Sequence, residues 1–272
     1  MIVNYKLGEK IISLELNGDT FVGSEEVLLA QDENLIENTT WHNRGYSIEK
    51  FLTEREYIAI QLGIKELISQ KISEAGVSTD AHFKLENYHK YVDNEIHLKL
   101  ARLIQSGWGV SEFPIDIKSV NERISEIIGQ EVSTKAKHVD MNNFFVRVVR
   151  PQNFQDNNPP HRDVWLDRLR DAVNIYVPIC GSTEHSALGL VPGSHLLKES
   201  EIERTVQGAI LNGTSYTVPC VISINKEIPE LIRPNPLENE VMLFSPYLVH
   251  GGGYNFNENK TRMSLEMRFW KR

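Results

Sequence analysis

From Asn143 onward the chain breaks into seven short runs rich in β-branched and aromatic residues, at 144–149, 173–179, 187–191, 216–224, 240–244, 247–250 and 262–270. Pro, Gly and Asn separate them, and no helical period lies between. Short strands at this spacing suggest a sandwich or barrel, and their gathering after the helices, without strand–helix alternation, argues against a doubly wound parallel sheet. Neither GxGxxG nor the glycine-rich lysine loop of nucleotide sites occurs, so a nucleotide site has no support.

The first half reads differently. Thr53-Glu54-Arg55-Glu56 fits a capping box, and Tyr57, Ile58, Ile60, Leu62, Ile64, Leu67, Ile68 and Ile72 follow at helical spacing as far as Gly76. Leu85 to Ile104 and Ser119 to Ile128 show the same period and predict two more helices. Ahead of them, Lys10 to Val22 holds two alternating runs joined by Asn17-Gly18, the signature of a type I′ hairpin. The expected organisation is one domain over 1–272: a β-hairpin extension at 1–40, a helical layer at 45–130 and a β core at 143–270.

Composition bounds the partners. A net charge of −8 has the wrong sign for a protein whose main business is the phosphate backbone of nucleic acid. No run approaches the roughly 20 apolar residues that span a bilayer, and the start lacks the basic and apolar regions of a signal peptide, so no membrane partner is expected. Cys180 and Cys220 form no CxxC, which removes a cysteine zinc site and a disulfide framework and makes the reducing cytoplasm the expected compartment. A small-molecule substrate remains as the partner.

His161 and Asp163 stand two residues apart in PPHRDVW, a spacing that on extended backbone points both side chains to one side. His250 follows the apolar run VMLFSPYLV, which places it on a candidate partner strand. Two imidazoles and a carboxylate are the facial set that holds non-haem Fe(II) with positions left open, although so short a pattern also arises from hydrogen-bonded core or surface residues. Twelve residues past His250 comes Arg262, with Ser264 on the same strand face; a guanidinium fork with a hydroxyl suits a terminal carboxylate. The other face, Met263, Leu265, Met267 and Phe269, is apolar and is expected to pack on the helices. Arg268, near the end of the chain, reads as solvated.

With these residues in place, the sequence resembles the phytanoyl-CoA dioxygenase family of Fe(II)/2-oxoglutarate oxygenases. The resemblance runs from about 45 to 270. It is carried by Gly45-Tyr46 and Phe51-Leu52-Thr53, by His161-Arg162-Asp163, by the apolar strand Ala187 to Val191 ending in Pro192-Gly193-Ser194-His195, and by His250 with Arg262-Met263-Ser264. It implies a mainly β fold with α, a double-stranded β-helix of the jelly-roll or cupin kind with the helical layer packed on its major sheet. It implies Fe(II) on His161, Asp163 and His250, and 2-oxoglutarate held through its far carboxylate by Arg262 and Ser264. O₂ is then the second co-substrate, and succinate and CO₂ leave as a substrate C–H is hydroxylated. Relatives that halogenate lack the carboxylate at Asp163, so its presence points to hydroxylation, or to desaturation or ring closure. Residues 1–40 have no counterpart in the resemblance.

Around this set stand residues with two readings each. Asn174 is a candidate donor to a 2-oxoglutarate carboxylate or a structural amide. Arg147, Arg150, Arg162 and Arg168 concentrate positive charge near the site, either to receive anionic groups of a small polar or anionic metabolite or to pair with Asp167 and Asp171. Trp165 is a candidate pocket wall or a buried tryptophan. His195 reads as a turn and packing residue, His185 as exposed, and His42, His82, His89, His97 and His138 as surface or helix residues. Two competing functions are a cupin-like metalloenzyme, such as an isomerase, using His185 or His195 as third ligand without 2-oxoglutarate, and a non-catalytic jelly-roll binding module.

Overall fold

The computed structural model describes residues 1–104, 108–135, 142–166 and 169–272. Thr53 Oγ1 accepts from the Glu56 N–H while the Glu56 carboxylate accepts from the Thr53 N–H, and this capping box opens α1 (Glu54–Glu74). Tyr57, Ile60, Ile64, Ile68 and Ile72 form its buried stripe. The segment expected as one helix from Leu85 is instead a 3-10 turn (Leu85–Lys90) followed by α2 (Asn94–Ile104). Asp93 causes the break, because its carboxylate accepts the Ile96 N–H at 2.8 Å and so acts as a fresh helix cap. Asp116 likewise caps α3 (Ile117–Ile128), which ends on Gly129 at φ 76°.

The strands, in chain order, are β1 (Ile2–Leu7), β2 (Lys10–Asn17), β3 (Thr20–Val22), β4 (Tyr46–Lys50), β5 (Trp108–Gly109), β6 (Val132–Ser133), β7 (Asn143–Val149) and β8 (Ala172–Cys180). There follow β9 (Gly189–Leu190), β10 (Ile202–Thr205), β11 (Ala209–Leu211), β12 (Thr214–Tyr216), β13 (Val221–Ile224), β14 (Glu230–Leu231), β15 (Glu240–Phe244), β16 (His250–Gly251) and β17 (Arg262–Lys271). Three expected runs are shorter than read: 187–191 keeps only Gly189–Leu190 in a strand. Residues 216–224 divide around Pro219, and 247–250 keeps only His250 in a strand, with Pro246 just before the turn.

The largest sheet has the order β4-β15-β8-β17-β7-β5, with β6 on the end of β17. One face carries Val173, Ile175, Val177 and Ile179 of β8 and Met263, Leu265, Met267 and Phe269 of β17, joined in a single core with the stripes of α1, α2 and α3. Burying the four β17 side chains is worth about 6–12 kcal/mol at roughly 1.5–3 each, comparable to the whole stability of a domain. A slip of one residue would exchange them for Arg262, Ser264, Glu266 and Arg268, so the register of β17 is strongly specified. Those four polar side chains therefore face the opposite way, as Asn174 and Tyr176 of β8 do.

The N-terminal hairpin differs from its reading. β2 pairs with β1, from Ile2↔Glu15 to Leu7↔Lys10, across a turn at Gly8, φ 60°. Asn17-Gly18 instead redirects the chain into β3, which pairs with β10 in another sheet. Residues 2–7 also alternate, burying Val3, Tyr5 and Leu7, and offer β2 a longer partner than the three residues of β3. The hairpin extends a sheet of order β12-β11-β2-β1-β14, so the first strands support β12. Among the described residues no helix is long and apolar enough to cross a membrane.

Candidate metal centre and co-substrate pocket

His161 and His250 are locked together by their own backbones. The His161 N–H donates to His250 O at 2.8 Å, the His250 N–H donates to His161 O at 2.9 Å, and the ring centroids lie 4.6 Å apart. Gly251, at φ 125°, makes this pairing possible: a Cβ there would stand 2.5 Å from Pro159 O. Asp163 enters from the start of a 3-10 turn, with Oδ1 3.3 Å from His161 Nε2 and 3.6 Å from His250 Nε2. Their ligating atoms all fall within 4.8 Å of one another, and all three residues are buried.

The tautomers follow from the partners. His161 Nδ1 lies 2.7 Å from Pro159 O and His250 Nδ1 2.9 Å from Leu248 O. A carbonyl only accepts, so each Nδ1 carries the proton and each Nε2 turns a lone pair to the centre, as a metal ligand requires. Burial lowers the His250 pKa to about 4, which keeps the ring neutral. Burial opposes ionisation of Asp163, yet the Arg268 guanidinium beside it outweighs this and holds the carboxyl well below its ordinary range. Two neutral imidazoles and one carboxylate on one side of a cavity suit a divalent iron with open positions.

That cavity, of about 540 Å³, is lined by His161, Asp163, His250, Arg262 and Asn157 among others. Arg262 is buried; Nη1 donates to Ser264 Oγ at 3.0 Å and Nη2 to Gly253 O at 3.0 Å and Asn157 Oδ1 at 3.2 Å. Gly253 leaves the space, since a Cβ there would lie 2.7 Å from Nη2. Arg262 Nε and Asn157 Nδ2 are buried donors without a protein acceptor. Leaving such a donor unpaired costs about 1–3 kcal/mol, so this end of the cavity is built to receive an acceptor such as a carboxylate. The residues fit both iron and 2-oxoglutarate.

Other expected residues fall elsewhere. Asn174 does not reach the cavity: its Nδ2 donates to Asp163 Oδ2 at 2.8 Å. Arg268 is buried rather than solvated, and its Nη2 and Nε reach the same oxygen at 3.1 and 3.3 Å. Arg147 lines the cavity with Nε 3.1 Å from Glu266 Oε2. Arg150 lies behind the wall, forked onto Asp156 at 2.8 and 2.9 Å rather than onto Asp171, and Asp167 lies outside the described residues. Arg162 is corrected outright: fully buried outside the cavity, it pairs with Glu199 and donates to the Ser194 and Leu197 carbonyls. Trp165, also outside, donates to Glu199 Oε2 at 3.1 Å and lies under Arg204. Arg168 and His138 lie outside the described residues.

His195 is buried, with Nε2 2.7 Å from His42 O, and His185 is exposed; neither joins the three-residue cluster. His97 is a residue the sequence reading missed. It lines the cavity, with Nε2 3.2 Å from Asp156 and Nδ1 3.1 Å from the Tyr88 hydroxyl. Its place three residues before Leu100 and seven before Ile104, on the buried stripe of α2, was the available signal.

Comparison with curated proteins gives no match. Among solved structures, AviO1 from Streptomyces viridochromogenes Tue57 is 15% identical at a TM-score of 0.49, covering 92% of this chain and 96% of that one. EvdMO1 is 17% identical at a TM-score of 0.49, covering 85% of this chain and 48% of that one. EctD from S. alaskensis, solved with 2-oxoglutarate and 5-hydroxyectoine, is 16% identical at a TM-score of 0.46, covering 98% and 86%. The family model described as phytanoyl-CoA dioxygenase matches residues 41–264, a span that holds His161, Asp163, His250, Arg262 and Ser264. With most of its length matched, the chain belongs to the phytanoyl-CoA dioxygenase family, oxygenases that use Fe(II) and 2-oxoglutarate.

Proposed function

We propose that this chain hydroxylates an unactivated C–H of a small polar metabolite, with His161, Asp163 and His250 as iron ligands and Arg262, Ser264 and Asn157 as the seat of the 2-oxoglutarate far carboxylate. The carrying observation is the convergence of three ligating atoms within 4.8 Å on a cavity whose Arg262 and Asn157 present buried, unpartnered donors. The frame proposed for it is one domain over 1–272, a double-stranded β-helix at 143–270 covered by helices at 45–130 and extended by 1–40. When bound, iron and 2-oxoglutarate supply the oxidising chemistry, with succinate and CO₂ as co-products.

The chain's own residues bind, orient and exclude water. The Nδ1–carbonyl hydrogen bonds keep both Nε2 atoms aimed inward, where with Asp163 they would hold the iron. Asp163 fills the position that a halide would need, which supports hydroxylation over halogenation. Leu98, Ala101, Ile104, Val146 and Val148 make an apolar strip of the cavity wall, suited to a C–H-bearing portion of the substrate.

The paired arginines favour an uncharged substrate over an anionic one. Among the described lining residues, Arg147 and Arg268 already face carboxylates at 3.1 Å, and Arg262 is assigned to the co-substrate. Gln155, Asn158, Thr214 and Ser215 bring hydrogen-bonding groups to the same wall. The test is O₂-dependent succinate formation from 2-oxoglutarate with Fe(II), repeated with carboxylate, phosphonate and uncharged metabolites. No succinate under any condition defeats the oxygenase reading, and selective stimulation by anions defeats the uncharged one.

A further inference from the structure

We infer that Arg268 and Asn174 are positioning residues that hold Asp163 to a single ligating oxygen, so that the centre keeps the two adjacent positions a chelating 2-oxo acid needs. The inference rests on the ligand assignment proposed above.

A carboxylate has two oxygens and can grip an ion with one or both. Asp163 Oδ2 is engaged by three donors: Asn174 Nδ2 at 2.8 Å, Arg268 Nη2 at 3.1 Å and Arg268 Nε at 3.3 Å. Oδ1 alone turns to His161 and His250. Rotating the group to offer both oxygens would break a charge-assisted fork and an amide bond in a buried place.

The holders are themselves held. Asn174 and Arg268 are register partners on adjacent strands, β8 and β17, so they reach Asp163 from one rung of the sheet. Glu266, two residues before Arg268 on the same face, places Oε2 3.8 Å from Arg268 Nη2 and 3.1 Å from Arg147 Nε. The row Arg147, Glu266, Arg268, Asp163 alternates in sign from the cavity wall to the proposed ligand, and each member is fixed by the next. The core burial that specifies the β17 register therefore also sets the direction of the Asp163 carboxylate.

Freeing Oδ2 should cost the co-substrate more than the metal. A carboxylate gripping with both oxygens holds an ion at least as well but occupies a position the chelate requires. The experiment measures Mn(II) affinity by calorimetry, then 2-oxoglutarate affinity on the Mn(II)-loaded protein, for Asn174→Ala, Arg268→Gln and Arg268→Lys. Anaerobic Fe(II) titration with 2-oxoglutarate gives the visible charge-transfer absorption of the chelate as a second readout. Asn174→Ala removes no charge, so its effect cannot arise from a changed field on an anionic ligand, and it serves if Arg268→Gln fails to fold. Expected are Mn(II) affinities as tight as the parent's or tighter, 2-oxoglutarate affinity weakened about tenfold or more, the equivalent of ~1.4 kcal/mol, with the absorption lost, and partial rescue by Arg268→Lys. Unchanged 2-oxoglutarate affinity in Asn174→Ala overturns the inference, and so does loss of the metal itself in Asn174→Ala. His161→Ala separates the two readings: if it binds Mn(II) like the parent, the ligand assignment fails, whereas loss there beside indifferent Asn174 and Arg268 variants removes only the positioning role.

Discussion

Replacing Arg262 by Ala removes the guanidinium assigned to the co-substrate and tests that seat directly. In the protein its fork is engaged by Ser264, Gly253 and Asn157, while Nε and Asn157 Nδ2 wait for acceptors. A charge-assisted hydrogen bond to a carboxylate is worth about 1.5–3 kcal/mol, and each 1.4 kcal/mol is tenfold in affinity, so loss of the contact should raise the 2-oxoglutarate Kd about tenfold to more than a hundredfold. The substitution also strips partners from Ser264, Gly253 O and Asn157, at roughly 1 kcal/mol of stability for each ordinary hydrogen bond lost. Arg262→Lys should recover only part of the affinity, because an ammonium restores the charge but not the planar fork. Ser264→Ala, which loosens one prong, should cost about 1 kcal/mol, near fivefold. Calorimetry of 2-oxoglutarate on Mn(II)-loaded protein gives each Kd, and chemical denaturation separates affinity from folding. An Arg262→Ala protein that is folded, loaded and binds 2-oxoglutarate as the parent does would refute the assignment.

His161→Ala, Asp163→Ala and His250→Ala should each abolish measurable Mn(II) or Fe(II) binding in calorimetry, while His185→Ala keeps it, since that ring lies outside the cluster. Arg162→Gln should destabilise the fold by roughly 3 kcal/mol in urea, by leaving the buried Glu199 short of its partner, without changing the 2-oxoglutarate Kd. An affinity change would put Arg162 back at the cavity. The stability of the metal-free protein should fall as pH drops from about 6.5, the unfolded histidine value, toward 4, because burial lowers the His195 pKa to about 4 and the unfolded chain binds the proton first. This residue accounts for up to about 3 kcal/mol, fully present above the unfolded value, and melting of His195→Asn at pH 5 and 7.5 should show a correspondingly smaller pH dependence.

How much of this site could be read from the sequence depends on how each residue's partner is specified. His161, Asp163 and His250 were legible because few side chains ligate iron and a spacing of two on extended backbone shares a face; the backbone bridge that joins the histidines was not, since Gly251 shows its purpose only beside Pro159. The arginines were misread for a different reason. Nearby acids were the natural partners to name, yet Arg147 meets Glu266 and Arg162 meets Glu199, across strands and loops whose pairing no local pattern reveals. The N-terminal hairpin failed likewise, because Asn17-Gly18 is a good turn whichever strand β2 pairs with, and the choice fell to the longer partner. The inward position of Arg268 follows from the strand period alone. The alternation that put Met263, Leu265, Met267 and Phe269 in the core obliges Arg262, Ser264, Glu266 and Arg268 to share the inner face, and proximity to the terminus was a weaker argument than period. Followed to its end, that period puts Arg268 on the inner face with Arg262 and Ser264, so in a strand whose outer face is wholly apolar the inner residues should all be read as one set.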